Sequence, residues 1–306
     1  MLNRLALAAL ALVLGAAGAS AHTTAYPDVA DVSHASPEAA KTLEAFFVAK
    51  STHKAADMMT HFAKDGVLYI DASSGGIWPS WDSLNQIFSG MMPKMVPAAL
   101  SYPVRILGDR HSALVAFTDT PELFGKELRI LGAVSFDDKG HIIRWIDYWD
   151  GHSSDRKTAL TAAYPTDFHD NVGSATGRIA DTAKRLQAAL AAGDAKGAAA
   201  MFSPDGVYED MALHTQVLGR LEIERYLARI LPKAPFGAGA SVAHVVGADA
   251  GGGYEWHAAP NFPQKRGNTA LELDPKGAIT RLTVVYDSGL FPDDAYRAAV
   301  ALGAEN

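Results

Sequence analysis

The chain has 306 residues, of which 48% are hydrophobic, enough to bury two ordinary cores. Its formal net charge of -7 argues against a nucleic-acid or anionic-membrane partner and favours a small molecule. Cysteine is absent, which excludes disulfides, thiolate metal sites and thiol catalysis.

The first 21 residues are typical of a cleaved secretory signal. They read MLNRLALAALALVLGAAGASA, with one basic residue, a long apolar run and small residues at Ala19 and Ala21. We expect this segment to be removed and the mature protein to be secreted or periplasmic. No later apolar run approaches the roughly 18 residues that a membrane helix needs, so no membrane partner is expected.

Helices are predicted to come first in the mature chain. Ser36 and Pro37 have the pattern of an N-cap and a first helical residue, and EAAKTLEAFFVAK places Leu43, Phe46 and Phe47 on one face. The segment KAADMMTHF predicts a second short helix, VLYID a strand and WDSLNQIFSGMM a third helix.

Strands follow the third helix. The segments YPVRIL, SALVAFTD, ELRILGAVSF and IIRWIDYWD are separated by the turn sequences GDRH, FGK and DDKG. Helices followed by an antiparallel meander indicate an α+β fold. We expect a curved sheet that wraps round the helices and leaves a cone with an apolar mouth.

The pattern recurs in the second half of the chain. FAKDGVLY, from Phe62, matches FSPDGVYE, from Phe202, at an offset of 140 residues, and DDKGHIIRWIDYWD matches DPKGAITRLTVVYD at an offset of 137. A near-constant offset predicts a duplication, with the two copies paired as an intramolecular pseudo-dimer. The expected parts are a signal peptide at 1–21, cone repeats at 36–152 and 174–290, and a C-terminal tail at 291–306.

The first repeat resembles a known family. Its order of elements, together with VLYID, LNQIFSGMM, RILGAVSF and WIDYWD, is similar to the nuclear-transport-factor-like superfamily of SnoaL-like cyclases and ketosteroid isomerases, and most of all to limonene epoxide hydrolases. Those hydrolases have Tyr-x-Asn on the first strand, Arg-x-Asp on a middle strand and Trp-Arg-Asp-Tyr-Phe-Asp on the last. This chain has Tyr69-x-Asp71, Phe117-x-Asp119 and Trp145-Ile146-Asp147-Tyr148-Trp149-Asp150 in their places.

The resemblance implies cofactor-free acid-base chemistry on a small hydrophobic molecule. Asp147 would be the base that activates water, and Asp119 the acid. Tyr69 and Asp71 would hold the water. Two neighbouring carboxylates in an apolar cavity cannot both ionise easily, so one stays an acid while the other serves as base. Phe117 replaces the bridging Arg, which suits an apolar or cationic group beside the acids.

Strand alternation predicts a shared site without the resemblance. Side chains two residues apart share a face, so each of the three strands presents aromatic rings and a carboxylate together. A buried carboxylate without a partner is costly or protonated, so acids on an aromatic face predict a cavity. The residues concerned are Tyr69 with Asp71, Phe117 with Asp119, and Trp145 and Trp149 with Asp147; Phe117, Trp145 and Trp149 are expected to contact the substrate. Asp150 ends its strand and recurs as Asp287, which predicts a strand-end hydrogen bond in both repeats.

The second repeat departs from this pattern at the matching positions. Trp256 stands opposite Phe117 and is predicted to contact a ligand in a more apolar second cavity. Asp210, in VYEDMALH, resembles the base of ketosteroid isomerases and is a further candidate. The carboxylate pair is absent: Glu209 stands opposite Tyr69, Ala258 opposite Asp119, Leu282 opposite Trp145 and Val284 opposite Asp147.

No sequence pattern points to a metal or a cofactor. The eleven histidines include no His-x-x-x-His pair, and the chain has no Gly-x-Ser-x-Gly elbow or phosphate-binding glycine loop. Two functions remain open. The chain is either a cofactor-free hydrolase, lyase or isomerase, or an exported carrier or sensor that binds a small ligand without turnover.

Overall fold

The computed structural model describes residues 26–153 and 172–304, and the signal segment expected at 1–21 lies outside them. The described residues form an α+β fold with two separate sheets, as the sequence predicts. Two helices, a two-stranded hairpin, a third helix and a four-stranded meander follow one another in this order in both halves, so each half is called a unit below.

The first unit packs its helices against one face of a seven-stranded sheet with the strand order β1-β4-β5-β6-β7-β2-β3. Its helices are α1 (Pro37–Ser51), α2 (Ala55–Met59), α3 (Trp81–Met91) and α4 (Pro121–Phe124). Its strands are β1 (Asp31–Ala35), β2 (Leu68–Asp71), β3 (Gly76–Trp78), β4 (Ser101–Gly108), β5 (Ser112–Asp119), β6 (Leu128–Phe136) and β7 (Ile142–Trp149).

The second unit has a six-stranded sheet with the order β10-β11-β12-β13-β8-β9, which repeats the first sheet without its edge strand β1. Its helices are α5 (Arg178–Ala191), α6 (Ala195–Ala199), α7 (Arg220–Ile230) and α8 (Asp293–Ala301). Its strands are β8 (Phe202–Asp210), β9 (Thr215–Leu218), β10 (Ser241–Ala248), β11 (Gly251–His257), β12 (Arg266–Leu273) and β13 (Ile279–Val285).

Local sequence explains where the first helices begin. The Ser36 hydroxyl accepts a hydrogen bond from the Ala39 N–H at 3.2 Å, and Pro37 occupies the first helical position, as predicted. Ser80 and Ser83 form a reciprocal capping box that starts α3.

Some elements were not predicted. Strand β1 pairs in parallel with β4, but its five residues are all partly or fully exposed and therefore give no burial pattern. The predicted tail at 291–306 contains α8, whose Ala299 is buried in the second core. No helix among the described residues is long and apolar enough to cross a membrane.

The two sheets meet through the faces turned away from the helices. Ile146 belongs to this contact, together with Val246 and Ala270 of the second unit. At its centre the buried Arg144 guanidinium donates twice to the Glu255 carboxylate, at 2.5 and 2.9 Å. This arrangement leaves the opposite face of each sheet to its own helices, as strand alternation requires.

Candidate active site

A cavity of about 460 Å³ lies in the first unit between its helices and its sheet, within the range typical of small-molecule sites. Most of its wall is apolar and comes from α3, from the segment after it, and from the strands. Its polar lining residues are Lys50, Ser51, His53, Tyr69, Asp71, Ser74, Ser101, Asp119, Lys126 and Asp147.

Asp147, on β7, is held by two donors. The Trp145 indole N–H donates to its Oδ2 at 2.7 Å, and the Tyr69 hydroxyl donates to the same oxygen at 3.2 Å. Burial raises the pKa of the Asp147 carboxyl well above its ordinary value; neighbouring Asp71 raises it further, while the Trp145 hydrogen bond opposes the rise. Because both donors occupy Oδ2, the proton of the neutral acid belongs on Oδ1.

Asp71, on β2, is partly buried and has different partners. Its Oδ1 accepts hydrogen bonds from the Ser74 backbone N–H at 3.0 Å and from the Trp149 indole N–H at 2.9 Å. Burial raises the pKa of Asp71, and these donors, led by Ser74, partly offset the rise. Asp71 is less deeply buried than Asp147, and its hydrogen bonds lower its pKa more than neighbouring charges raise it, so Asp71 holds a proton less tightly than Asp147.

The carboxyl group beside Asp147 is that of Asp71. The two residues are direct partners across the parallel strands β2 and β7, whereas Asp119 lies two strands away on β5. The electrostatics therefore favour an acid at Asp147, where the resemblance implied a base. Asp71, and not Asp119, is the carboxyl group next to Asp147 on the sheet.

Asp119 is paired with a lysine that the sequence analysis missed. The Lys50 ammonium lies 3.0 Å from Asp119 Oδ1 and 3.3 Å from Oδ2. It also lies 5.0 Å from the centre of the Phe117 ring. The cation expected beside Phe117 and the acid is thus provided by the chain itself.

A sequence signal for Lys50 does exist. It lies in the last turn of α1, four residues after Phe46 and three after Phe47, both of which are buried against the sheet. Residues at these spacings share a helix face, so a lysine here points to the interior. The alternation of the strands gives no such signal, because Lys50 lies on a helix.

Aromatic residues separate the two polar ends of the cavity. Phe117 and Trp149 both pair with Ile130 across β6, and all three line the cavity between Asp119 and Asp147. Trp145, expected to contact substrate, does not line the cavity. It is buried beneath Tyr69, with parallel rings 5.8 Å apart, and its described polar contact is the hydrogen bond to Asp147.

The two candidates in the second unit lie in a different core. Trp256 is fully buried and packs against Phe236 and Tyr286, with ring centres about 6 Å away. Asp210 is fully buried and accepts hydrogen bonds from the Leu213 N–H at 3.0 Å and the Tyr286 hydroxyl at 3.4 Å. Neither lines the cavity of the first unit.

Strand register corrects one match between the units. Tyr69 pairs with Trp145, and Tyr208 pairs with Leu282 at the matching place, so Tyr208 and not Glu209 occupies the position of Tyr69. The sequence match was one residue out of register, which reverses the face of every side chain on a strand. By the same register Asp210 occupies the position of Asp71. Glu209 faces the other unit, where Arg105 donates to it at 3.0 Å.

Asp150 and Asp287 hold the chain just after the last strand of each sheet, as predicted. Asp150 accepts from the His152 backbone N–H and Asp287 from that of Gly289, both at 2.9 Å. His214 also contacts Asp150, with its Nε2 at 2.8 Å from Oδ2. These contacts give both aspartates a structural role at the junction of the units. Within the described ranges no group of three or more His, Asp or Glu residues is arranged to hold a metal ion.

No family model matches the chain, and no curated protein does. The chain is similar to solved structures over about two fifths of its length. An NTF2-like protein of unknown function from Burkholderia xenovorans is 20% identical over 40% of this chain and 91% of its own, with a TM-score of 0.31. A steroid delta-isomerase from Pseudomonas aeruginosa is 16% identical over 42% of this chain and 90% of its own, with a TM-score of 0.33. An LEH-like epoxide hydrolase from M. tuberculosis is 20% identical over 37% of this chain and 83% of its own, with a TM-score of 0.31.

Proposed function

We propose that the first unit is a cofactor-free enzyme that performs acid-base chemistry on a small hydrophobic molecule containing a reactive oxygen. The reaction class is epoxide opening, dehydration, isomerisation or cyclisation. The observation that supports it best is Asp147, which is held in place by Trp145 and Tyr69 and whose pKa is raised by burial and by the neighbouring Asp71, so that it keeps its proton.

In this proposal Asp147 is the general acid. Its proton on Oδ1 is donated to the substrate oxygen as negative charge develops there. The Tyr69 hydroxyl and the Trp145 indole remain on Oδ2 and stabilise the carboxylate that forms. Burial raises the pKa of Tyr69 well above its usual range, which keeps its hydroxyl a donor throughout.

Asp71 is the general base. Its Oδ1 is occupied by Ser74 and Trp149, which leaves Oδ2 to accept a proton from water or from a substrate carbon. A raised pKa brings a carboxylate closer to neutral pH and strengthens it as a base. The acid and the base are neighbours, so both can reach one small substrate. The Lys50–Asp119 pair forms the opposite end and orients the polar group that enters there.

Two further parts of the proposal concern the whole chain. The sequence of the first 21 residues supports export, and the amino-terminal residue of the mature protein, read by Edman degradation, tests it. The buried Arg144–Glu255 pair between the sheets supports an intramolecular pseudo-dimer in which the second unit stabilises the first. If this is so, the first unit expressed alone should expose that face and aggregate or dimerise.

A panel of small epoxides, β-hydroxy ketones and β,γ-unsaturated ketones tests the activity. The protein is incubated with each compound, and products are identified by mass spectrometry. We expect turnover of at least one class and a loss of about 100-fold to 10,000-fold in Asp147→Asn, which cannot donate the same proton. Asp210→Asn is the matched control, because it makes the same change in the core of the second unit.

Recovery of a bound compound intact, with thermal stabilisation equal in the wild type and Asp147→Asn, would contradict the enzyme and favour a carrier. Full turnover by Asp147→Asn would contradict the assignment of the acid.

A further inference from the structure

A groove of about 790 Å³ runs along the outside of the cavity, between α3, the segment that follows it and α4. It is more open than the cavity. Its outer rim has polar side chains, among them Gln86, Lys94 and Glu122, and its inner wall is apolar.

The groove and the cavity share one wall. Trp78, Ile87, Met91, Met95 and Leu123 line both spaces. The two methionines have unbranched, flexible side chains that repack easily around different ligands. These flexible side chains are the part of the shared wall that can move without a change in the backbone.

Gly90 is an exposed residue that lines the groove. It lies within α3, where glycine is the poorest residue apart from proline. A Cβ added at this position would meet no other atom within 4 Å, so packing does not require glycine. Gly90 lines the groove and not the cavity, and its missing side chain keeps the groove open.

We propose that the groove is a tail subsite of the cavity, and that the ligand is a long single-chain amphipathic molecule. Its oxygen-bearing head lies beside Asp147, and its hydrocarbon tail passes Met91 and Met95 to lie in the groove. This inference rests on the proposed function for the head group. The continuity of the shared apolar wall identifies the occupant as the tail of the ligand already in the cavity. The polar rim allows the end of that tail to reach water.

A series of straight-chain methyl ketones tests the subsite, because a neutral carboxyl donates to a carbonyl oxygen. Binding of ketones from six to sixteen carbons is measured by quenching of tryptophan fluorescence in the wild type, Gly90→Phe, Gly90→Ala and Asp147→Leu. In the wild type we expect affinity to rise by about fourfold for each methylene buried, and to continue rising beyond the length that the cavity alone holds.

Gly90→Phe places a ring in the groove. It should lower the affinity for the long ketones at least tenfold and leave the affinity for the short ones unchanged. Gly90→Ala should behave as the wild type at every length. Asp147→Leu, which has no donor, should weaken the binding of short and long ketones alike, because it acts on the head group.

Three results would overturn the inference. If Gly90→Phe binds every ketone as the wild type does, the tail does not occupy the groove. If affinity stops rising at short lengths while Asp147→Leu still weakens binding, the cavity is a small closed site and the proposed function survives without the groove. If no ketone of any length binds, the head-group assignment falls together with the tail subsite.

Discussion

The interiors of the two units occupy the same place on their sheets but are filled differently. Both present a tyrosine and an aspartate two residues apart, Tyr69 and Asp71 in the first and Tyr208 and Asp210 in the second. In the first unit the partner of the aspartate is Asp147 and a cavity opens beside it. In the second the partner is Val284, and Asp210 is fully enclosed. A shared fold therefore provides the position of a site, while a few side chains decide whether the site is open.

Two side chains at matching positions also differ in size between the units. Phe117 faces Ile130 in the first unit, and at the matching positions Trp256 faces Gly267. A Cβ added at Gly267 would lie 2.3 Å from the Trp256 ring, so the glycine makes room for the larger ring. The indole, with Phe236 beside it, fills part of the second interior. Protein interiors are close-packed, so these two rings leave little room for a ligand in the second unit.

The largest effect is expected from Val284→Asp, which gives the second unit the missing carboxyl. Val284 is almost fully buried and is the direct partner of Asp210, so the new group lies next to another acid without a cavity. We expect a loss of roughly 4 kcal/mol in the free energy of unfolding at pH 8, measured by urea denaturation.

Val284→Asn is the control for this change, because it is polar and of similar size but cannot ionise. The difference in stability between the two variants should shrink at pH 5, where the new carboxyl is neutral. Equal stabilities of the Asp and Asn variants at both pH values would show that the second interior accepts a charge. That result would contradict an enclosed second interior.

The next effect concerns the cation that only the first unit has at this place. Lys50→Met removes the ammonium and leaves the buried Asp119 without its partner. We expect a loss of about 1–3 kcal/mol in the free energy of unfolding. Adding Asp119→Leu should restore part of it, since the unpaired acid is then gone.

Lys41→Met, an exposed position on the same helix α1, should change little and serves as the control. If Lys50→Met and Lys41→Met have the same stability, the ion pair contributes nothing, and the polar end formed by Lys50 is not a fixed part of the site.

An effect that is spread over pH, and is therefore smaller at any one pH near neutrality, should come from Asp210. Burial raises its pKa to about 7, so the folded state retains a proton that the unfolded chain releases near its ordinary pKa of about 4. The stability this provides is fully present below pH 4 and is lost as pH rises through 7, in total up to roughly 4 kcal/mol. Asp210→Asn should therefore flatten the dependence of the melting temperature on pH between 4 and 7.

The exposed Asp205→Asn should leave the pH dependence as it is in the wild type. An unchanged slope in Asp210→Asn would mean that Asp210 ionises normally, and that the enclosed second interior is hydrated.

The sequence predicted the architecture well, because period and capping are local properties. Ser36, Pro37 and the apolar face of α1 place the first helix, and the alternation on β7 places Asp147 and Trp149 on the cavity side. It predicted the site less well. The pairing of Asp147 with Asp71, the position of Tyr208 and the contribution of Lys50 depend on strand register and on the approach of a helix from a distant part of the chain. Strand register and the approach of a helix are tertiary properties that local patterns do not reveal; helix spacing shows only that Lys50 faces the interior, and not which residue it pairs with.

The central claim is that Asp147 is a neutral acid inside an apolar cavity. It is tested most directly by carbon-13 NMR titration of the aspartate carboxyl groups in the wild type, Asp147→Asn and Asp71→Asn. We expect one carboxyl signal, absent from Asp147→Asn, to remain that of the protonated form at neutral pH. In Asp71→Asn the same signal should titrate at lower pH, because a neighbouring negative charge has been removed. A signal lost in Asp147→Asn that already titrates near pH 4 in the wild type would contradict the account.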